Sequence, residues 1–173
     1  SQVHTGASGY NGGTITITGS TSNNFTLQNN GILYANGRTT GTSSNAGTIT
    51  ISSGTVDLGQ GLIKAEGANS GGTAGTVNIS ATNGALNTTN GFQLWNLGDS
   101  AGSVTLSSTG ATNIGAGSWV RSQGDSNTTL NVTGNGITVD GTLEAGGYKN
   151  GNGGTLTITS TGGNDFSLSS GAI

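Results

Sequence analysis

Gly47-Thr48-Ile49-Thr50-Ile51 is a glycine followed by threonine and isoleucine in strict alternation. Alternation with a period of two places the isoleucines on one face of a β-strand and the threonines on the other. Five further stretches repeat the pattern with small changes, at positions 13–17, 75–79, 102–106, 128–132 and 154–158. The second residues of the six copies lie 34, 28, 27, 26 and 26 positions apart in chain order. A nearly constant period of this length predicts a repeat architecture.

Two shorter apolar runs follow the Thr-Ile run in most repeats. The second run offers one pair of inward positions per repeat: Phe25/Leu27, Val56/Leu58, Leu86/Thr88, Thr112/Ile114, Ile137/Val139 and Phe166/Leu168. The third run ends in glycine, and its inward residues are Leu33, Ile63, Leu94, Val120 and Leu143. β-Hairpins are the main alternative, but they would need a tight turn at each reversal and would not keep three unlike strands in one order.

The pattern therefore predicts an all-β fold, a right-handed parallel β-helix (β-solenoid) of about six coils with three short strands each. Each strand would pair with its equivalent in the coils above and below, at a spacing of about 4.8 Å. Residues 1–173 form a single solenoid segment in this interpretation. The first residue is not Met, residues 171–173 match the start of another third run, and no capping element is visible. We expect a slice or a repeating unit of a longer extracellular rod.

Composition narrows the possible partners. Hydrophobic residues make up only 29% of the chain and Gly occurs 35 times, which is typical of disordered linkers, but alternating Ile and Val argue for strands. The absence of Cys excludes disulfide frameworks and thiolate chemistry. A net charge of −3 argues against nucleic acid and anionic membranes as partners. No apolar run is long enough to span a bilayer, so we expect no membrane insertion.

The repeats resemble those of filamentous-haemagglutinin-like bacterial adhesins of the two-partner-secretion and biofilm-matrix type. The stretches that carry the resemblance are 46–51 followed by 61–67, and 74–79 followed by 91–98, and the likeness extends from about Gly12 onward. It implies an extracellular or cell-surface location and a structural, adhesive segment of a fibre. The implied partners are a carbohydrate or another surface receptor, or like molecules that pack laterally or end to end.

The outward side of the third run carries unusual side chains. The candidate binding or packing residues are Ile32, Tyr34, Lys64, Trp95, Trp119 and Arg121, with Leu62, Gln93 and Glu144 beside them. Stacked aromatic and cationic side chains gain from cation–π contacts, so one interpretation is a ladder that satisfies itself. An exposed apolar stripe also commonly marks a contact surface, and the sequence leaves both interpretations open.

The outward side of the Thr-Ile run is the alternative candidate face. Its members include Thr14, Thr16, Thr48, Thr50, Thr76, Thr105, Thr129, Thr155 and Thr157. A flat array of Thr pairs resembles the ice-binding face of β-solenoid antifreeze proteins, which makes ice binding the alternative function. Thr is also an ordinary residue on exposed strands, and Ser and Asn interrupt the array.

The sequence contains few residues suited to catalysis or metal binding. A polysaccharide-cleaving β-helix would need convergent carboxylates, and we expect no such pair, no cofactor and no enzymatic activity. Asp99 and Asp125 share a Gly-Asp-Ser context and would stack one coil apart, so they are weak candidates for a Ca²⁺ site. An Asp in such a place more often caps its own turn through backbone N–H groups. His4 is predicted to be a solvated residue near one end of the chain.

Overall fold

The computed structural model describes residues 1–5, 11–37, 43–68, 70–147, 151–163 and 165–169, and their regular structure is entirely β. In chain order the strands are β1 (Gln2–His4), β2 (Thr14–Thr18), β3 (Asn24–Leu27), β4 (Ile32–Tyr34), β5 (Thr48–Ser53), β6 (Thr55–Leu58), β7 (Leu62–Lys64), β8 (Thr76–Ala81), β9 (Leu86–Thr88), β10 (Gln93–Leu97), β11 (Ser103–Ser108), β12 (Thr112–Ile114), β13 (Trp119–Gln123), β14 (Thr129–Gly134), β15 (Ile137–Val139), β16 (Thr142–Gly146), β17 (Thr155–Ser160) and β18 (Phe166–Leu168). None of these residues belongs to a helix that could cross a membrane.

These strands form three parallel sheets of six strands each. The first sheet has the order β17-β14-β11-β8-β5-β2, the second β18-β15-β12-β9-β6-β3, and the third β1-β4-β7-β10-β13-β16. Every pairing joins strands one coil apart, so the chain makes about six turns of a parallel β-solenoid. The predicted fold class is confirmed. Residues 171–173, which suggested the start of another third strand, lie outside the described residues.

Like residues lie over like residues in the core. In the first sheet Ile49 pairs with Ile15 on one side and with Val77 on the other. Val77 pairs in turn with Val104, and the column continues to Leu130. Ile49, Val77, Val104 and Leu130 are completely buried. The alternating pattern of the Thr-Ile run therefore becomes a continuous apolar column, as predicted, and burial of this column is the main stabilising term.

A column of glycines marks the corner after the third strand. A Cβ added at Gly37, Gly67, Gly98, Gly124 or Gly147 would lie 2.1–2.7 Å from a backbone atom at that corner. Real Cβ atoms do not approach backbone so closely, and none of these glycines has a positive φ. The recurring glycine at the end of the third run is therefore explained by close backbone approach and not by a left-handed conformation.

Two core residues differ from their equivalents in other coils. Asn96 is completely buried, and continuing the registers of β10 with β7 and of β7 with β4 by one residue places it over Ala65 and Ala35 of the two preceding coils. Its Nδ2 donates to the carbonyl of Gly75 at 3.0 Å and that of Ser103 at 3.2 Å, whereas its Oδ1 is buried without a partner. Hydrogen bonds therefore offset the cost of burying the Asn96 Nδ2 group, but not the cost of burying its Oδ1.

Phe92 is the largest fully buried side chain among the described residues. It immediately precedes β10, where the preceding coil has Gly61 before β7 and the following coil has Ser118 before β13. One large ring therefore occupies a corner position that small residues occupy in the neighbouring coils. The periodicity of the sequence does not predict this burial of Phe92.

Strand β1 was not predicted from the sequence. Its three residues pair with β4, which places Val3 beside Leu33 and His4 beside Tyr34. His4 is exposed, as predicted, but it belongs to a strand, and its ring contacts that of Tyr34 edge to face at 5.9 Å between centroids. A run of three residues without a repeat of its own carries too little pattern to be recognised as a strand.

Candidate functional site

The third sheet aligns outward side chains in two columns. The first column, which we call the ladder, contains His4, Tyr34, Lys64, Trp95, Arg121 and Glu144. The second, which we call the flanking column, contains Gln2, Ile32, Leu62, Gln93, Trp119 and Thr142. The structure thus brings all six candidate residues onto one face, in the registers that the sequence predicts.

Cations and aromatic rings contact one another along the ladder. Lys64 Nζ lies 4.1 Å from the centroid of the Trp95 ring. Arg121 Cζ lies 3.4 Å from the centroid of Trp119 and 5.6 Å from that of Trp95. These distances fall within the range of favourable cation–π contacts, each worth about 0.5–2 kcal/mol depending on solvent exposure. The predicted stacking of rings and cations is present in the structure.

Each cation of the ladder also has a carboxylate nearby. Lys64 Nζ donates to Glu66 Oε2 at 3.3 Å. Arg121 Nε lies 3.9 Å from Glu144 Oε2, which is an ion pair with long geometry. Two cations are therefore matched by two carboxylates, and the central part of this face is close to electrically neutral.

Glu144 connects three side chains. The indole Nε1 of Trp119 donates to its Oε2 at 3.1 Å, and Gln123 Nε2 donates to its Oε1. The Arg121 guanidinium completes the group, although its Nε is buried and has no hydrogen-bond partner among the described residues. Glu144 thus fixes the orientation of the Trp119 ring through Nε1, and Arg121 covers one face of the ring.

Burial differs among the charged groups. The side chains of Lys64 and Arg121 are 18% and 16% exposed, whereas that of Glu144 is 34% exposed. Burial lowers the pKa of Arg121 from its ordinary value, and the Glu144 and Glu66 carboxylates oppose this shift. A guanidinium remains charged in proteins, so Arg121 acts as a fixed cation.

The first sheet presents a flat array of small polar side chains on its outer face. One column contains Thr14, Thr48, Thr76, Ser103, Thr129 and Thr155, and the next contains Thr16, Thr50, Asn78, Thr105, Asn131 and Thr157. A third column, which was not predicted, contains Thr18, Ser52, Ser80, Ser107, Thr133 and Thr159. The continued alternation after Ile17, Ile51 and Ile79 was the signal that could have revealed it.

Asp99 and Asp125 lie in successive coils, as predicted. Asp99 Oδ2 accepts a hydrogen bond from the Gly71 backbone N–H at 2.7 Å, so it bonds the preceding coil and not its own turn. The backbone N–H of Asp125 donates to the Asp99 carbonyl at 3.0 Å. Within the described ranges, no three His, Asp or Glu side chains lie close enough together to hold a metal ion. Asp125 Oδ1 is buried with no hydrogen-bond partner among the described residues, so the structure shows own-turn capping for neither Asp, and calcium binding at this pair stays a prediction.

The chain matches no protein-family model, no curated protein and no solved structure. Two outward faces of the described residues are candidate contact surfaces: the ladder with its flanking column, and the three-column polar array of the first sheet.

Proposed function

We propose that this chain is a structural and adhesive segment of a secreted bacterial surface fibre or matrix adhesin. The observation that carries the proposal is the registered stack itself, in which three parallel sheets align outward side chains in straight columns. The resemblance of the repeats to filamentous-haemagglutinin-like adhesins supports the same function and an extracellular location.

The mechanism of such a segment is geometric. Each coil is joined to the next by backbone hydrogen bonds in all three sheets, and the apolar columns are buried between the sheets. A stack of this kind is quasi-one-dimensional, because each repeat contacts mainly its neighbours. A rod results that holds its outward side chains about 4.8 Å apart along the axis, whatever the ligand is.

The ladder and its flanking column supply the contact face of this proposal. Aromatic and arginine side chains are enriched among the residues that dominate binding energy at interfaces. Trp95, Trp119 and Arg121 lie together, and Trp119 is 37% exposed. The partners are a carbohydrate or another surface receptor, or a like molecule packed laterally.

Replacing Trp95 and Trp119 together by Ser is expected to abolish adhesion without changing the fold. Both rings lie outside the buried apolar columns, so their loss removes the contact face and leaves the core intact. Beads coated with the protein would be tested for attachment to mature bacterial biofilm, and circular dichroism would confirm the β-content of the variant.

The matched control is the double substitution Asn87→Ser with Asn113→Ser. These side chains are stacked outward on the second sheet and are joined by a hydrogen bond of 2.7 Å. Control beads should attach as well as beads with the unaltered protein. Equal attachment of the double Trp variant would remove the ladder from the proposal, and no attachment of the unaltered protein would refute the adhesive role.

Ice binding is the second candidate function, and a separate observation favours it. The outer face of the first sheet carries 18 aligned side chains, all Thr, Ser or Asn, in three columns. Same-face residues lie about 6.6 Å apart along a strand and about 4.8 Å apart between strands. Such a regular hydroxyl-rich plane resembles the faces with which β-solenoid antifreeze proteins bind ice.

Thermal hysteresis measurements test this candidate directly. If the array binds ice, Thr50→Lys should eliminate hysteresis, because a long charged side chain would rise from the middle of a flat face. Thr26→Lys is the matched control, since Thr26 is exposed on the second sheet and should leave hysteresis unchanged. No hysteresis or ice shaping by the unaltered protein would exclude this function.

A further inference from the structure

We propose that Trp119, Arg121 and Glu144 form a binding site for an uncharged pyranose polysaccharide. The inference rests on the proposed adhesive function and names the chemical class of its ligand. Three observations carry it: the preorganised ring of Trp119, the distribution of charge around the ring, and the free hydrogen-bonding capacity of Glu144.

The Trp119 ring is held in place before any ligand arrives. Arg121 Cζ lies 3.4 Å from its centroid, and its Nε1 donates to Glu144 Oε2 at 3.1 Å. Trp119 is nevertheless exposed, and it is more exposed than Tyr34 and Trp95 on the same sheet, which are half-buried. A fixed ring loses little conformational entropy on binding, so a flat apolar partner can gain from stacking on it. The apolar face of a pyranose ring is such a partner.

The charges around Trp119 favour an uncharged ligand. The two cations of the ladder are each paired with a carboxylate, and their side chains are only half as exposed as that of Glu144. The Arg121–Glu144 pair is therefore nearly neutral as a whole, and its more exposed member is the carboxylate, on a chain whose net charge is −3. A uronate or a sulfated sugar gains no net attraction from this paired site and is disfavoured by the net negative charge of the chain, while a neutral sugar is not.

Glu144 also has acceptor capacity to spare. An ionised carboxylate offers about four lone-pair sites. Trp119 and Gln123 each occupy one of these sites by donating a hydrogen bond. The remaining sites can accept hydroxyl hydrogens of a sugar in charge-assisted bonds, which are stronger than neutral ones. An aromatic ring beside such an acceptor binds a sugar ring in two ways, by stacking against its C–H face and by accepting hydrogen bonds from its hydroxyl groups.

The site continues along the rod axis. Trp119 pairs with Gln93 in the preceding coil, and Gln93 pairs with Leu62 in the coil before that. The Gln93 side chain accepts a hydrogen bond from Trp95 Nε1 at 3.1 Å, which orients its amide. A polymer following the flanking column would meet a polar and then an apolar side chain beyond the first sugar, so a polysaccharide fits better than a monosaccharide.

Affinity electrophoresis provides the test. Native gels would contain hydroxyethylcellulose, galactomannan or pullulan as neutral probes, or polygalacturonate as an acidic probe. We expect at least one neutral polymer to retard the unaltered protein and polygalacturonate not to retard it. Trp119→Ala should raise the dissociation constant at least about tenfold, as for other aromatic hot spots. Asn113→Ala, on the outer face of the second sheet, should not change it.

Glu144→Gln removes the negative charge of the site while keeping a side chain of nearly the same shape. It should weaken retardation by the neutral polymer and allow polygalacturonate to retard the protein, because Arg121 is then left without its paired carboxylate. A loss of folding would not produce such a gain. The inference is overturned if no neutral polymer retards the unaltered protein, if only polygalacturonate does, or if Trp119→Ala is retarded equally. Bead attachment to biofilm would still judge the fibre proposal separately.

Discussion

Replacing Ile79 by Ala is expected to lower the free energy of unfolding by about 2–5 kcal/mol, the usual range for buried Ile-to-Ala changes. Ile79 is 1% exposed and lies in the middle of the inner column, between Ile51 and Leu106. The loss combines a transfer term for the removed methyl groups with a cavity term, because parallel strands hydrogen-bonded on both sides cannot close around the gap.

Urea unfolding followed by circular dichroism measures this effect. Thr105→Ala is the control, since Thr105 lies on the outer face one coil away and should change stability by no more than about 0.5 kcal/mol. The slope of the transition should also fall for Ile79→Ala, because a weakened central interface uncouples the coils on its two sides. If the two variants unfold alike, the first-sheet columns do not form a single core.

The fold was predictable because its determinants are local and repeated. Alternation within one strand decides which side chains point inward, and the period decides which strands lie over one another. Pairing of Ile49 with Val77 follows from both rules and is found in the structure. The glycine that ends each third run was visible as a pattern, but the backbone approach that requires it could be seen only in three dimensions.

The candidate site was only partly predictable. Trp119 and Arg121 are two residues apart on one strand, so their shared face follows from the sequence. The hydrogen bond from Trp119 to Glu144 joins residues 25 positions apart and depends on side-chain directions across two coils. The sequence pattern predicts which residues share a column. The pairing of each cation with a carboxylate depends on side-chain rotamers, which the repeat period does not determine.

Isolated exceptions were the least predictable features. Asn96 and Phe92 lie at inward and corner positions where neighbouring coils have small residues, and the repeat pattern argues against burying either of them. Each fills local space that its neighbours do not fill, which is a property of one cross-section of the rod. A repeat pattern describes what the coils have in common, so it cannot predict a buried side chain that occurs in one coil alone.

Gly98→Ala is expected to destabilise the protein by about 3 kcal/mol or more, at or above the upper end of ordinary overpacking effects. A Cβ there would lie 2.1 Å from the backbone N of Ala74, and the two other nearest atoms, 2.6 and 2.7 Å away, are also backbone. Since no flexible side chain can move aside, the neighbouring coil must shift. That shift would strain the hydrogen bond from the Gly98 N–H to the Gln123 carbonyl and the one from the Ala74 N–H to the Ser100 carbonyl.

Gly153→Ala is the matched control for this effect, because nothing lies within 4 Å of a Cβ built at Gly153 and its φ is not positive. The same substitution in open space should be neutral or should stabilise by up to about 1 kcal/mol, since Ala reduces the entropy of the unfolded chain. Thermal unfolding measures the stability of both variants, and hydrogen exchange of the backbone amides of Ala74 and of position 98 locates the disturbed hydrogen bonds. Equal stability of the two variants would show that the corner has room for a side chain, and the glycine column would then need a cause other than close packing of coil against coil.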